Sequence, residues 1–255
     1  MWSRANLKAN AKIAFKRNYW KCVLVALILG IATASGSTGG SMGSNMSSII
    51  SEESTTDIPF DTTSPEAVID ELFSVDSVFK TIGVTVVVIV ILIILIIALV
   101  LQFFLFGPLE IGCKNFFKVN AYEQAELNCI TLGFSKNNYM KMAVTMFLKN
   151  LYIALWSLLL FVPGIIKSYE YRMIPYILAD CPDIAKDEAF RISKEMMKGN
   201  KMDAFILDIS FFGWILLTVI TCGIAGTFYV APYIAATDAE LFIAIREQYF
   251  KGQNA

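Results

Sequence analysis

The 255-residue chain contains no histidine. That removes the commonest general base and the commonest metal ligand from any mechanism. Charge is also scarce: 17% of residues are Asp, Glu, Lys or Arg, against about 25% in an average soluble domain. The formal net charge of -1 argues against nucleic acid, whose binders carry a clustered basic footprint. The five cysteines (Cys22, Cys113, Cys129, Cys181, Cys222) show no C-x-x-C spacing. An odd, scattered set reads as free thiols and not as a disulfide framework. Walker-type lysine loops and dinucleotide fingerprints are missing as well. Gly39-Gly40-Ser41-Met42-Gly43 matches G-x-S-x-G. That nucleophile turn needs a strand before it, a helix after it and a histidine partner, so a hydrolase is excluded. No cofactor, metal site or enzymatic activity is expected.

What is abundant is apolar surface: 56% of residues are hydrophobic and the mean hydropathy is +0.59. Thr81 to Phe106 runs 26 residues without a charge, against about 20 needed to cross a hydrocarbon core. Its β-branched richness would suit a strand in water, but in lipid only a helix satisfies its own backbone. Gly107-Pro108 is expected to end this helix.

An earlier and shorter span is predicted over Trp20 to Ala34. Before it, Arg4, Lys8, Lys12 and Lys16 recur every four residues and line one side of a helix. Residues 1–19 therefore read as a basic interfacial helix whose partner is the anionic inner leaflet of a lipid bilayer. A cleavable signal peptide is the rival reading, because Ala32-Thr33-Ala34 resembles a cleavage site. Residues 35–78 hold eight Asp or Glu and no Lys or Arg. They read as an acidic, partly disordered extracytoplasmic loop. The return loop carries Lys114, Lys118, Lys136 and Lys141 and belongs on the inner side with the N-terminus.

Met142 to Val162 is a further span, followed by Pro163-Gly164, where a helix break is expected. If Ile165 to Ala179 crosses back, then Lys186, Arg191, Lys194, Lys198 and Lys201 all lie inside, as the positive-inside tendency requires. If it does not, all five lie outside. Fifteen residues of helix reach only about 22 Å against a core of about 30 Å, so the crossing is short. Residues 183–198 predict a cytosolic amphipathic helix, capped by Asp183, stopped by Gly199 and buried along Ala185, Ala189, Ile192 and Met196. Two spans, Ala204 to Cys222 and Ala225 to Phe242, follow around a tight turn at Gly223. The expectation is a single all-α transmembrane bundle over residues 1–255. It has about six membrane helices, one of them short and broken, together with amphipathic surface helices. Both termini lie in the cytoplasm, and the home is the plasma membrane.

Several runs resemble one family: Arg4 to Lys8 with Asn18-Tyr19-Trp20, Pro163 to Asp180, Ser193-Lys194 with Met197-Lys198-Gly199, Ser210-Phe211 with Gly213-Trp214, and Pro232-Tyr233. The chain is similar to the bacterial integral-membrane family catalogued as domain of unknown function 975. The resemblance implies a polytopic membrane protein and supplies no catalytic or binding residues.

Ionisable residues inside predicted spans are the remaining lead: Lys149, Lys167, Glu170, Arg172, Asp208 and Asp238, with Glu240 near an end. Such residues usually face a bundle interior or a water-filled path. Glu170 follows Lys167 by three residues and forms a local pair, while Arg172 points elsewhere. Two readings stay open. One is a non-enzymatic membrane scaffold, sensor or envelope-protection protein, with room for a membrane or cytosolic protein partner. The other is a small permease built on the broken hairpin. An intramembrane enzyme acting on lipid is the weakest.

Overall fold

The computed structural model describes residues 2–34, 75–135 and 138–253. Among them every regular element is helical and no strand occurs. Four stretches are long and apolar enough to cross a membrane: Ile82–Tyr122, Tyr139–Leu159, Lys201–Ile220 and Gly226–Gly252. Tyr19–Thr33 is apolar but shorter. Residues 35–74 of the expected acidic loop lie outside the described residues. The chain divides into two compact units at Leu101 and Gln102.

Helices α1 (Arg4–Arg17) and α2 (Tyr19–Ala34) open the chain. Leu7, Ala11, Ala14 and Phe15 of α1 are buried, which is one face at helical spacing, while Arg4, Lys12 and Lys16 stay exposed. Lys8 instead folds onto the Phe211 ring, 4.3 Å from its centroid. Ile13 is left exposed.

In the unit that ends at Leu101, the described part is α3 (Val75–Leu101). Its 27 residues extend about 40 Å at 1.5 Å each, enough for a bilayer, and every side chain from Ile82 to Leu101 is exposed. The backbone stays helical as far as Tyr122. Gly107-Pro108 therefore does not end the helix, contrary to the sequence expectation. A π-helical turn, Gln102–Phe106, leads into α4 (Gly107–Tyr122), which carries Pro108 in its first turn. Pro108 has no N–H to donate to the Phe104 carbonyl four residues back. The Tyr139 hydroxyl donates to that carbonyl instead.

In the other unit, α4 buries Ile111, Cys113, Phe116 and Phe117, packing against the 3-10 turn Leu127–Phe134 and against α2. At its C-terminus, Arg17 donates to the carbonyls of Asn120, of Tyr122 at 3.4 Å and of Glu123 at 2.9 Å. This cation caps carbonyls the helix leaves unpaired.

Helix α5 (Tyr139–Leu159) is buried at Met142, Ala143, Thr145, Met146 and Lys149, then exposed from Leu151 onward except at the half-buried Ile153. The chain breaks at Leu160, whose backbone is extended (φ -154, ψ 131), and not at Pro163-Gly164. Pro163 sits in the first turn of α6 (Phe161–Glu170), where its missing donor costs nothing. Gly164 has a different task. A Cβ there would lie 2.3 Å from Ser157 Oγ and 2.7 Å from Ser157 Cα, so its absence lets α6 fold back against α5. Gly164→Ala should cost about 1–3 kcal/mol by overpacking. Thermal unfolding of the purified protein would check this, with Ser157→Gly in the same chain restoring part of the loss.

Residues Tyr171–Met173 turn into α7 (Ile174–Asp180). No uninterrupted helix covers Ile165 to Ala179. Its two pieces, α6 with 10 residues and α7 with 7, reach about 15 and 10 Å. Ile174 through Ala179 are buried, and the Tyr176 ring stacks on Phe242 at 4.8 Å and 12°.

Helix α8 (Lys186–Met197) starts later than expected, with Ala185 as a cap residue that makes no side-chain bond. Asp183 does not cap it and pairs with Lys141 at 3.4 Å. Ala189 and Met196 are buried as expected, joined by Phe190, Ser193 and Met197, whereas Ala185 is exposed and Ile192 half-buried. Gly199 ends the region at φ +85, the left-handed conformation glycine adopts cheaply. Helices α9 (Lys201–Ile209) and α10 (Phe212–Ile220) form one rod, Lys201–Ile220, with a turn at Ser210-Phe211 between them. Gly223, at φ +88, then donates its N–H to Thr218 O at 2.8 Å, which makes the expected tight turn. A second π-helical turn, Gly226–Val230, leads into α11 (Ala231–Gln253). α11 is the core of this unit: Ala235, Ala236, Ala239, Leu241, Phe242 and Ile245 are buried against α1, α2 and α4.

Candidate functional site

Arg172 lies in the turn between α6 and α7, where the interrupted helix aims its side chain toward two others. Its guanidinium grips Asp208 of α9 with both ends of the fork, Nη1 to Oδ2 at 2.7 Å and Nη2 to Oδ1 at 2.9 Å. The same group donates to Asp238 of α11, from Nε at 3.1 Å and from Nη2. Asp238 takes a third donor on its other oxygen, Lys114 Nζ of α4 at 2.8 Å. Tyr169, three residues before Arg172, donates its hydroxyl to Asp208 Oδ2 at 2.7 Å, and its ring lies 5.5 Å below the guanidinium carbon. Two cations and two carboxylates thus face one another, drawn from α4, the α6–α7 turn, α9 and α11. Their side chains keep between 12% and 34% of their surface exposed. Close by, Lys114 Nζ lies 5.2 Å from the centroid of the buried Tyr176 ring.

The other predicted residues fall into separate pairs. Lys149 binds Glu110 of α4 at 2.9 Å. Lys167 binds Glu170 at 2.7 Å, as the spacing predicts, and Lys201 reaches the other Glu170 oxygen at 2.5 Å. The backbone carbonyl of Glu170, at the end of α6, accepts from Ser193 Oγ of α8 at 2.7 Å. Glu240 joins none of these and lines a different cavity with Asn10 and Arg17. A further cluster, unanticipated from sequence, joins Lys118 and Arg246 to Asp180 at 2.5 and 2.6 Å.

The structure therefore brings Arg172, Asp208 and Asp238 together and keeps Lys149 and the Lys167–Glu170 pair apart from them. Sequence reasoning missed Lys114 and Tyr169. One signal was present: an aspartate within an apolar span demands a partner, and Asp208 and Asp238 each lie in one. Which cation answers it is a matter of packing. On α8, hydrogen bonds from Arg191 hold the Glu188 carboxyl below the usual range. Among the described residues no group of three Asp, Glu or Cys side chains is placed to hold a metal ion.

Most of the buried network falls within one recognisable stretch of chain. Residues 158–249 match the family described as Protein of unknown function (DUF975). That stretch holds Arg172, Asp208 and Asp238, whereas Lys114 and Lys149 precede it. The N-terminal runs that resemble the family also lie outside the matched residues. No curated protein matches the chain, and no solved structure matches it.

Proposed function

We propose that this chain is a non-enzymatic, multi-pass membrane protein whose buried charges hold its helices together, in a scaffold, sensor or envelope-protection role. The observation that carries this reading is the closed network around Arg172. Its three nitrogens are committed to Asp208 and Asp238, and the remaining Asp238 oxygen to Lys114. A transport path needs charges that exchange partners with a substrate, and these four balance among themselves. In this reading α2, the helix through α3, α5, the α6–α7 pair, the α9–α10 rod and α11 are the about six crossings of a plasma membrane. The two termini are cytoplasmic, and Arg4, Lys12 and Lys16 of α1 face the anionic inner leaflet. The permease reading keeps one supporting feature, a helix interrupted beside an arginine, as in the broken helices of transporters.

Thiol labelling tests the threading. Cys181 and Cys222 are both exposed. Two variants, each keeping one of them as its sole cysteine, would be treated with an impermeant maleimide in intact and permeabilised cells. Cys222 is expected to label in intact cells and Cys181 only after permeabilisation. Labelling of Cys181 from outside would mean the α6–α7 pair does not cross, and the six-pass arrangement would be discarded.

A further inference from the structure

We propose that the cavity bounded by α5, α6 and α8 is a binding site for the headgroup of an anionic glycerophospholipid. The proposal rests on the reading of α5 as a membrane helix. The cavity encloses about 680 Å³, within the usual range for small-molecule sites of about 300–1,000 Å³. Its chemistry changes from one wall to the other. On the α8 side it is lined by Lys186, Arg191 and Lys194, and α6 adds Lys167. Against these four cations stand the lining carboxylates Asp187 and Glu195. Arg191 is already occupied by Glu188 and by Glu195, and Lys167 holds Glu170. Lys194 has no carboxylate partner among the described residues.

The aromatic floor is what gathers the positive charge. Lys167 Nζ and Lys194 Nζ lie 6.0 and 5.7 Å from the centroid of the same ring, that of Tyr171. Lys167 is also 5.6 Å from the Trp156 ring. Ring quadrupoles stabilise ammonium groups there, so the unpaired Lys194 charge is held on the same ring as Lys167, which keeps Glu170. Phe190 fixes the floor, edge-on to Tyr171 at 5.0 Å and to Tyr152 at 5.6 Å. A phosphate diester between Lys167 and Lys194 would meet that excess charge.

The opposite wall decides between a lipid and a soluble phosphate. Tyr152 and Trp156 come from α5, and Leu151, Leu155 and Leu158 of the same helix are exposed at 47%, 59% and 86%. An apolar strip thus runs from the rim of the cavity along the helix, where acyl chains would lie. Lysines facing a lipid-accessible cavity are drawn to anionic headgroups.

Trp156 reports on its own site. A chain with Trp2, Trp20 and Trp214 replaced by Phe would be reconstituted in phosphatidylcholine vesicles containing equal mole fractions of either brominated phosphatidylglycerol or brominated phosphatidylcholine. Brominated phosphatidylglycerol should quench Trp156 preferentially. The preference should fall about five-fold for each of Lys167→Ala and Lys194→Ala. The Lys167→Arg, Lys194→Arg chain should retain it, which separates loss of charge from loss of fold. Equal quenching by the two lipids would overturn the site while leaving α5 in the bilayer. No quenching by either would overturn the membrane reading of α5 itself. Displacement of phosphatidylglycerol by aqueous glycerol 1-phosphate would overturn the lipid as the ligand.

Discussion

Arg172→Ala is expected to remove about 3 kcal/mol of stability, the low end of the range for breaking a buried ion pair. The loss comes less from the missing attraction than from what is left behind. Asp208 and Asp238 would keep their places in apolar helices with their principal donor gone. The low end applies because the three side chains retain 12–34% of their exposure. In a chain of this size that corresponds to a fall in Tm of roughly 6–12 °C, measured on purified protein in detergent. Arg172→Lys should recover only part of it, since a single ammonium cannot span two carboxylates as the guanidinium fork does. The same variant separates the two functional readings. A structural role predicts depleted, unstable protein. A permease predicts Arg172→Ala protein at normal abundance and stability with lost flux, and that outcome would overturn the structural role.

The second large effect is expected at two glycines. A Cβ on Gly112 of α4 would fall 2.0 Å from Ile130 O, and one on Gly133 would fall 1.9 Å from Pro108 O. The 3-10 turn and α4 therefore touch backbone to backbone at two points, and one turn further along α4 Asn115 Nδ2 donates to Cys129 O at 3.1 Å. No rotamer change can relieve a clash with a carbonyl, so either Gly→Ala change should cost about 3 kcal/mol, the top of the usual overpacking range. Gly213→Ala is the matched control. Nothing lies within 4 Å of a Cβ there and the position is helical, so Tm should hold or rise slightly. Equal losses at Gly112 and Gly213 would show that the close approach has no energetic weight.

Local features were readable because their cause is local. Lys167 and Glu170 share a helix face three residues apart, and the pair is there. Gly199 and Gly223 adopt the positive φ that their positions at helix ends suggest. Asp183 misled, because a plausible cap residue two positions too early finds Lys141 instead. The break at Leu160 was misplaced for a related reason. Pro163 is compatible with the start of a helix as well as with its end, and only the approach of Gly164 to Ser157 selects the former. Pro108 looks like a stop in sequence, but its lost hydrogen bond is replaced by Tyr139, 31 residues further along, whose hydroxyl reaches the Phe104 carbonyl.

The sequence by itself determined that the chain is helical and that it has more apolar surface than water tolerates. A charge-free run such as Thr81 to Phe106 admits only a helix in lipid, and the lack of histidine and catalytic fingerprints is a property of composition. The tertiary structure alone decided which charges meet. Arg172 finds its carboxylates 36 and 66 residues away, and Asp238 finds Lys114 at a separation of 124. Hydrophobic periodicity says which face of a helix turns inward, but not which helix it will face. Burial is non-directional, whereas an ion pair needs its partner within about 3 Å. The pairing therefore exists only once the helices have packed.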